Sequence, residues 1–403
     1  MQTTTAPRPA TTPALRLDDL STPCVLVEHR RLERNLARMQ ALADAQGVAL
    51  RPHVKTHKSV ALARRQAALG ARGLTVAKPG EAEVFVGAGF DDVRLAYTVV
   101  GEEKHARLLR LMERARISFC VDTLDGARAA SAFYAAHGRR AEVLVEVDVG
   151  YGRCGVRWDH PESIRFVREV AALPGLRLAG LLTHAGHAYH GPRENETAED
   201  ALRRVGAEER DRMLAFAAAL HEAGIPGVTP GTFELSIGST PSLRFFENRT
   251  HAGFRITEIR PGNYVFHDAI QVGLGVAGLD ACALTVLTTV VSKHRDATGQ
   301  DRLYLDAGKK VFTSDVGYHT LGYGIPLYNA RTMDPLPHAR ITGLSEEHAW
   351  VRVPGGATLR VGDRLRVIPN HACVVVNTQP LLYLVDGEDV LATWAVDAQG
   401  QVR

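Results

Sequence analysis

Apolar positions along this chain switch between two spacings. From Pro23 to Glu28 ("PCVLVE") they run almost without a break, as in a buried strand. From Arg30 to Gln46 the residues Leu32, Leu36, Met39 and Ala43 recur at helical spacing, and Gly47 ends the pattern. The alternation then repeats. Strand-like runs fall near Val48 to Arg51, Gly73 to Ala77, Val93 to Tyr97, Ile117 to Val121, Val143 to Asp148, Leu178 to Thr183, Phe233 to Ile237 and Ile256 to Arg260. Helical stretches such as "EKHARLLRLMERA" and "ETAEDALRRVGAEERDRMLAFAAALHEAG" separate them. A helix between successive strands forces parallel pairing, because the return connection must cross the sheet. Eight such units in roughly 210 residues predict a closed (β/α)8 barrel. An open doubly wound sheet fits less well, since no G-x-G-x-x-G follows the first strand.

Beyond Asp268 the pattern changes to β-branched runs broken by turn signals, among them "ALTVLTTVVSKH", "RLYLDAG", "HAWVRVPGG" and "DRLRVIPNHACVVVN". Helical periodicity is weak there, which predicts a β domain over 268–403 after a barrel over 21–267. The early run at Pro23 to Glu28 is a candidate to join that β domain, interleaving the two. Residues 1–20, polar and rich in Pro and Thr at the start, read as a disordered tail without the apolar segment of a signal peptide.

Composition narrows the partners. The net charge is only +3 and the cations are dispersed, so no nucleic-acid footprint stands out and a small molecule is the expected partner. No apolar run approaches the roughly 20 residues needed to span a bilayer. Five widely spaced cysteines do not form a disulfide framework, and a cytoplasmic protein is expected.

In a (β/α)8 barrel the active site lies at the C-terminal strand ends. Lys55, in "RPHVKTHKS", follows the first strand; burial there would depress its pKa and make it a nucleophile and base. Arg153 lies between glycines in "VDVGYGRCGV" after the fifth. After the seventh comes "LSIGSTPS", with Ser236, Gly238, Ser239, Thr240 and Ser242; after the eighth comes "RPGNY", with Gly262, Asn263 and Tyr264. Glycine- and hydroxyl-rich loops after strands seven and eight are where such barrels hold a phosphate. A Schiff-base lysine facing a phosphate cradle is what pyridoxal phosphate (PLP) requires, and Arg153 is placed by order to meet its ring oxygen. The segment "THAGHAYH" adds His184, His187, Tyr189 and His190 at the end of the sixth strand, with Tyr189 suited to hydrogen-bond a cofactor or handle protons. Far downstream, "PNHAC" places His371 and Cys373 two residues apart; if extended, both side chains face one way and can share a metal. Imidazole plus thiolate suits zinc, whereas Asp in place of Cys would lean toward Mn2+ or Mg2+. Each element also has a plain structural reading: a basic surface loop, ordinary turns, a His and Cys packed in a β core.

Taken together, "STPCVLVE", "RPHVKTHKS", "VEVDVGYGRCG", "THAGHAY", "RPGNYVFHDAIQ", "LDAGKKVFTSD", "GLSEEHAWV" and "PNHAC" resemble the D-serine dehydratase and D-threonine aldolase group, fold-type III PLP enzymes related to alanine racemase. The resemblance runs from about Ser21 to the C-terminus. It implies that Lys55 is the Schiff-base lysine, that Arg153 and Tyr189 contact the cofactor ring, and that the Gly238–Thr240 and Gly262–Tyr264 loops hold its phosphate. It implies further that His371 and Cys373 bind the catalytic metal and that the protein is a homodimer; from their place after the sixth strand, His184 and Tyr189 are the candidates to face the cofactor and act in catalysis. Within the group, H-x-C goes with zinc and D-serine dehydratases, H-x-D with aldolases. The expected reaction is therefore D-serine to pyruvate and ammonia. The same site admits a D-threonine aldolase, a D-3-hydroxyaspartate dehydratase, a racemase or a PLP-carrying protein without turnover. No role follows for His53, His57, His187 or His190.

Overall fold

The computed structural model describes residues 15–327, 329–354 and 358–403. Eight parallel strands form one sheet: Ala49–Leu50, Leu74–Val76, Asp92–Thr98, Arg116–Val121, Ala141–Asp148, Leu176–Thr183, Glu234–Ile237 and Glu258–Ile259. Glu258–Ile259 pairs with both Ala49–Leu50 and Glu234–Ile237, and a parallel bridge between His53 and Thr75 joins the remaining edges, so the ring closes. All eight strands lie where the apolar runs predicted them. The core sits between the strands and the helices outside them, where Val143, Val145, Leu181 and Leu235 are fully buried.

Inside the barrel, below the strand ends, the filling is charged. Arg51 donates to Glu258 at 2.6 Å and to Asp92 at 2.8 Å, and Arg94 donates to Glu258 at 2.7 Å and pairs with Glu234. Arg116 extends the chain to Glu234 and Glu142 at 2.7 and 2.8 Å. Buried guanidinium and carboxylate groups stay charged only when each is paired, and here every one has at least one partner.

The second sheet contains Leu284–Arg295, Asp301–Leu305, Arg340–Leu344, Ala349–Val353, Arg364–Ile368, Leu381–Asp386 and Asp389–Ala395. Cys24–Glu28 belongs to it, antiparallel to Leu284–Arg295 and parallel to Leu381–Asp386. The two parts of the chain are thus interleaved.

Two expectations need correction. Of the disordered tail expected at 1–20, residues 1–14 lie outside the described residues, but 15–20 are docked on the second sheet. Leu17 and Leu20 are buried, the Leu17 N–H donates to Glu388 O at 2.8 Å, and Arg16 pairs with Glu388 and Asp389. The two leucines supply the apolar contact that the preceding Thr/Pro residues lack. The "HACVVVN" run is a helix, Ala372–Thr378, with His371 at its N-cap position, and not the extended strand its β-branched residues suggested. Among the described residues no helix is long and apolar enough to cross a membrane.

Candidate active site

A cavity of about 260 Å³ opens at the C-terminal ends of the barrel strands, and the start of helix Ala372–Thr378 contributes His371 and Cys373 to its wall. Of the residues singled out in the sequence, Lys55, Arg153, His184, Tyr189, Gly238, Ser239, Thr240, Gly262, Asn263, His371 and Cys373 line it. His53, Arg260, Asp268 and Gln271 line it as well.

Lys55 sits in the 3-10 turn Val54–Thr56, where buried Val54 and Thr56 fix the backbone and leave the lysine to project inward. Its side chain is enclosed by protein, yet it keeps accessible surface because that surface faces the cavity. Burial lowers its pKa, and the Arg153 and Arg260 charges lower it further against the opposing thiolate of Cys373. Burial also holds His53 and His184 well below the ordinary imidazole range, with the Lys55 and Arg260 charges adding to the effect, so both are neutral. An amine kept partly neutral beside neutral imidazoles is ready to act as a nucleophile or base.

The loops after strands seven and eight offer a cradle, though not with every expected group. The Gly238 N–H is already given to Glu209 Oε1 at 3.0 Å and the Ser239 N–H to Ser242 Oγ at 3.0 Å. The Tyr264 N–H goes to Thr240 Oγ1 at 3.0 Å, and the buried Tyr264 ring lies outside the cavity. Among the described residues, the backbone N–H groups of Thr240, Gly262 and Asn263 have no protein acceptor. Gly262 is required by close approach: a Cβ there would stand 2.6 Å from Thr56 Oγ1. Ser236, expected in the site, faces the barrel interior and spends its hydroxyl on Glu258. It is a strand residue, and strand alternation turns it away from the loop that follows.

Among the described residues, five buried polar atoms around the cavity have no hydrogen-bond partner: His53 Nδ1, Arg260 Nε, Asn263 Oδ1 and both amide atoms of Gln271. Arg260 is fixed through Nη2 to the carbonyls of Thr183 and Ser236, which leaves Nε for an acceptor. Arg153 is tethered by Glu146, whose Oε1 lies 3.1 Å from Nη2. The Arg260 Nε donor together with the free backbone N–H groups suits a ligand rich in acceptors, as PLP is, while Asn263 Oδ1 can only accept.

Beside the Lys55 turn, the Cys373 thiol approaches Thr56 Oγ1 at 3.3 Å, and His371 lines the same cavity. Burial alone would raise the thiol pKa, but the imidazolium and the Thr56 hydroxyl outweigh it and hold it below the ordinary value. For His371, burial is likewise outweighed, by the Cys373 thiolate and by Asp315, and its pKa is raised to about 10. A thiolate and an imidazole sharing one proton can exchange it for a metal ion. Among the described residues no set of three or more His, Cys, Asp or Glu groups is arranged to hold a metal ion.

The remaining histidines divide. His57 is structural: Nε2 lies 3.1 Å from Gln66 Oε1 and Nδ1 accepts the Ser59 N–H. His187 faces Glu208 at 3.6 Å, and His190 is exposed near the Tyr151 ring. Neither lines the cavity. Glu209 was not foreseen; buried on helix Ala198–Glu222, it accepts the N–H groups of Ala185 and Gly238 and the Ser242 hydroxyl, tying two strand-end loops together.

A lysine amine with a depressed pKa, sharing one cavity with free backbone donors at the strand ends, suits a barrel enzyme that carries a phosphorylated carbonyl cofactor. The comparisons name the family: the alanine racemase N-terminal domain matches residues 27–269 and the serine dehydratase domain 283–385. The chain belongs to this fold-type III PLP family and is a lyase of it. It is 34% identical to D-threo-3-hydroxyaspartate dehydratase of Delftia sp. (strain HT23), over 93% of this chain and 97% of the relative. The solved structure of that enzyme matches with a TM-score of 0.84, covering 94% of this chain and 98% of that one. A cysteine-to-alanine mutant of it has been solved in the metal-free form. D-threonine aldolase of Arthrobacter sp. is 34% identical, over 98% of this chain and 97% of the relative. D-serine dehydratase of Dictyostelium discoideum is 26% identical, over 89% and 91%.

Proposed function

We propose that this protein eliminates water and then ammonia from a D-3-hydroxy amino acid, with D-serine giving pyruvate and ammonia, and that it uses PLP and zinc. The observation that carries the reading is the placement of His371 and Cys373 in the same cavity as Lys55. When bound, PLP supplies a sink for the electron pair left at the substrate α-carbon, and zinc supplies a Lewis acid at the β-hydroxyl.

The residues divide the work. Lys55 would hold the cofactor carbonyl and, as a free amine, would take the proton from the substrate α-carbon. Its depressed pKa keeps part of the population neutral for both tasks. The N–H groups of Thr240, Gly262 and Asn263 bind the phosphate, while Arg153 and the free Nε of Arg260 orient the ring. His53 and His184, both neutral, add no charge that would compete with Lys55 for the proton. Tyr189 keeps its proton, because burial pushes the phenol far above its ordinary range, and so acts as a donor. His371 and Cys373 would hold the metal in the same cavity as Lys55, where it would polarise the β-hydroxyl. The water lost in the first step is returned when the product hydrolyses to keto acid and ammonia.

A second reading keeps the site and breaks the Cα–Cβ bond instead, giving glycine and an aldehyde. The 34% identity to a D-threonine aldolase favours it, whereas the thiolate ligand, characteristic of the dehydratase side of the resemblance, favours elimination. Dehydration of D-3-hydroxyaspartate is the same chemistry on a larger substrate. Incubation with D-serine, D-threonine and D-threo-3-hydroxyaspartate, scoring ammonia against glycine, separates the three. Glycine and acetaldehyde from D-threonine without ammonia from any of them would sink the elimination reading.

A further inference from the structure

His371 carries a carboxylate on one ring nitrogen: Nδ1 lies 2.6 Å from Oδ2 of Asp315. The ring and the Cys373 thiol line the same cavity. An imidazole has two nitrogens, so with Nδ1 taken by Asp315 the one left to share with Cys373 is Nε2.

Asp315 belongs to the segment between helix Lys309–Phe312 and strand Ile325–Pro326. Its side chain is partly exposed and pairs with no Lys or Arg among the described residues; His371 is its sole side-chain partner there. The segment is nevertheless held in place. Asn370, immediately before His371 and only 2% exposed, donates from Nδ2 to the Asp315 carbonyl and to the Gly322 carbonyl, each at 2.8 Å. The residue beside the imidazole therefore fixes the backbone that presents the carboxylate to it. A flexible surface aspartate meeting a histidine by accident would not be anchored by that histidine's own neighbour.

A metal needs a lone pair on one ring nitrogen, and the proton must then sit on the other. We infer that Asp315 is a positioning residue for the metal: it holds the His371 proton on Nδ1, fixes the plane of the ring, and leaves Nε2 open toward the ion that Cys373 shares. Asp315 is not itself a ligand in this arrangement, because the two ring nitrogens point in different directions and it occupies the outer one. The inference rests on reading His371 and Cys373 as metal ligands.

The test is zinc affinity, measured on the full chain with PLP bound and metal stripped, by competition with a chromogenic chelator. Wild type, Asp315→Ala, Asp315→Asn and His371→Ala are compared. Asp315→Ala should weaken zinc binding by about 10- to 100-fold, the usual effect of losing an outer partner of a ligating histidine. Asp315→Asn keeps an acceptor without the charge and should fall between Ala and wild type, a graded rescue that a merely structural role would not produce. Circular dichroism of the Asn variant guards against misfolding. If His371→Ala abolishes zinc binding while both Asp315 variants bind as wild type does, Asp315 has no positioning role and the ligand assignment stands. If His371→Ala binds zinc as tightly as wild type, the ligand assignment fails and this inference fails with it.

Discussion

The backbone N–H of Ala372 donates to Oδ2 of Asp268 at 2.9 Å, across 104 residues of sequence. The same oxygen accepts Asn263 Nδ2 at 2.5 Å, and Oδ1 accepts the Gln271 N–H at 3.1 Å. One buried carboxylate thereby caps the helix that begins after His371 and steadies the loop proposed to hold the phosphate. Replacing Asp268 with Ala would leave these donors without an acceptor and cost on the order of 3 kcal/mol. We expect a lower midpoint in urea together with weaker binding of both PLP and zinc. A variant that loses stability but binds both groups normally would confine Asp268 to a structural role.

Gly262 marks where the cradle is tightest. In Gly262→Ala the new methyl would stand 2.6 Å from Thr56 Oγ1 and 3.0 Å from the His53 carbonyl, on either side of Lys55. The loop must shift, and its N–H moves with it. PLP affinity should fall at least tenfold in equilibrium dialysis, with little change in secondary structure by circular dichroism. Wild-type affinity would remove Gly262 from the cradle.

Cys373 differs from an aspartate chiefly in softness. Cys373→Asp should lower the preference for zinc and raise that for Mn2+, read by metal content after dialysis against an equimolar mixture. An unchanged ratio would argue that the thiolate is not a ligand.

Acid should unfold the protein in two stages. His57 is buried and neutral, its pKa pushed down to about 4 by burial from an ordinary 6.5, so its contribution is intact above pH 6.5 and is lost as pH falls through 4. For Glu258, burial acts upward but Arg94 and Arg51 prevail and hold the carboxyl at about 2 from an ordinary 4.5. Its contribution, about 3 kcal/mol, is intact above pH 4.5 and is lost as pH falls toward 2. Melting temperatures from pH 8 to pH 3 should decline from about pH 6.5 and steepen below 4.5. Glu258→Gln should remove the steeper part and, at neutral pH, cost about 3 kcal/mol, because Arg51 and Arg94 each lose one of two carboxylate partners. A flat profile in the wild type would contradict both assignments.

The barrel was legible because its strands and helices each carry their own period, and because strand-end loops advertise themselves through glycine and hydroxyl residues. Lys55, Arg153 and the Gly238 and Gly262 loops followed from position alone. What escaped was chemistry supplied from a distance. Glu209, Asp268 and Arg260 sit in unremarkable local sequence and acquire meaning only from donors and acceptors brought to them by the fold. The "ACVVVN" run was misread for the same reason: β-branched residues favour a strand, but Asp268 meets the first N–H of the run and tips it into a helix. Ser236 was grouped with Gly238–Thr240 by adjacency, although two residues along a strand separate interior from loop.

Cys24–Glu28 pairs with Leu284–Arg295 and with Leu381–Asp386. During synthesis the first strand made must therefore wait for nearly the last. The barrel can close on itself once residue 259 is available, whereas the sheet that presents His371 and Cys373 needs both ends of the polypeptide. A chain truncated a few residues before Leu381 would keep Lys55 and its cradle but leave Leu26 and Val27 with one flank unpaired, an open edge prone to joining another molecule.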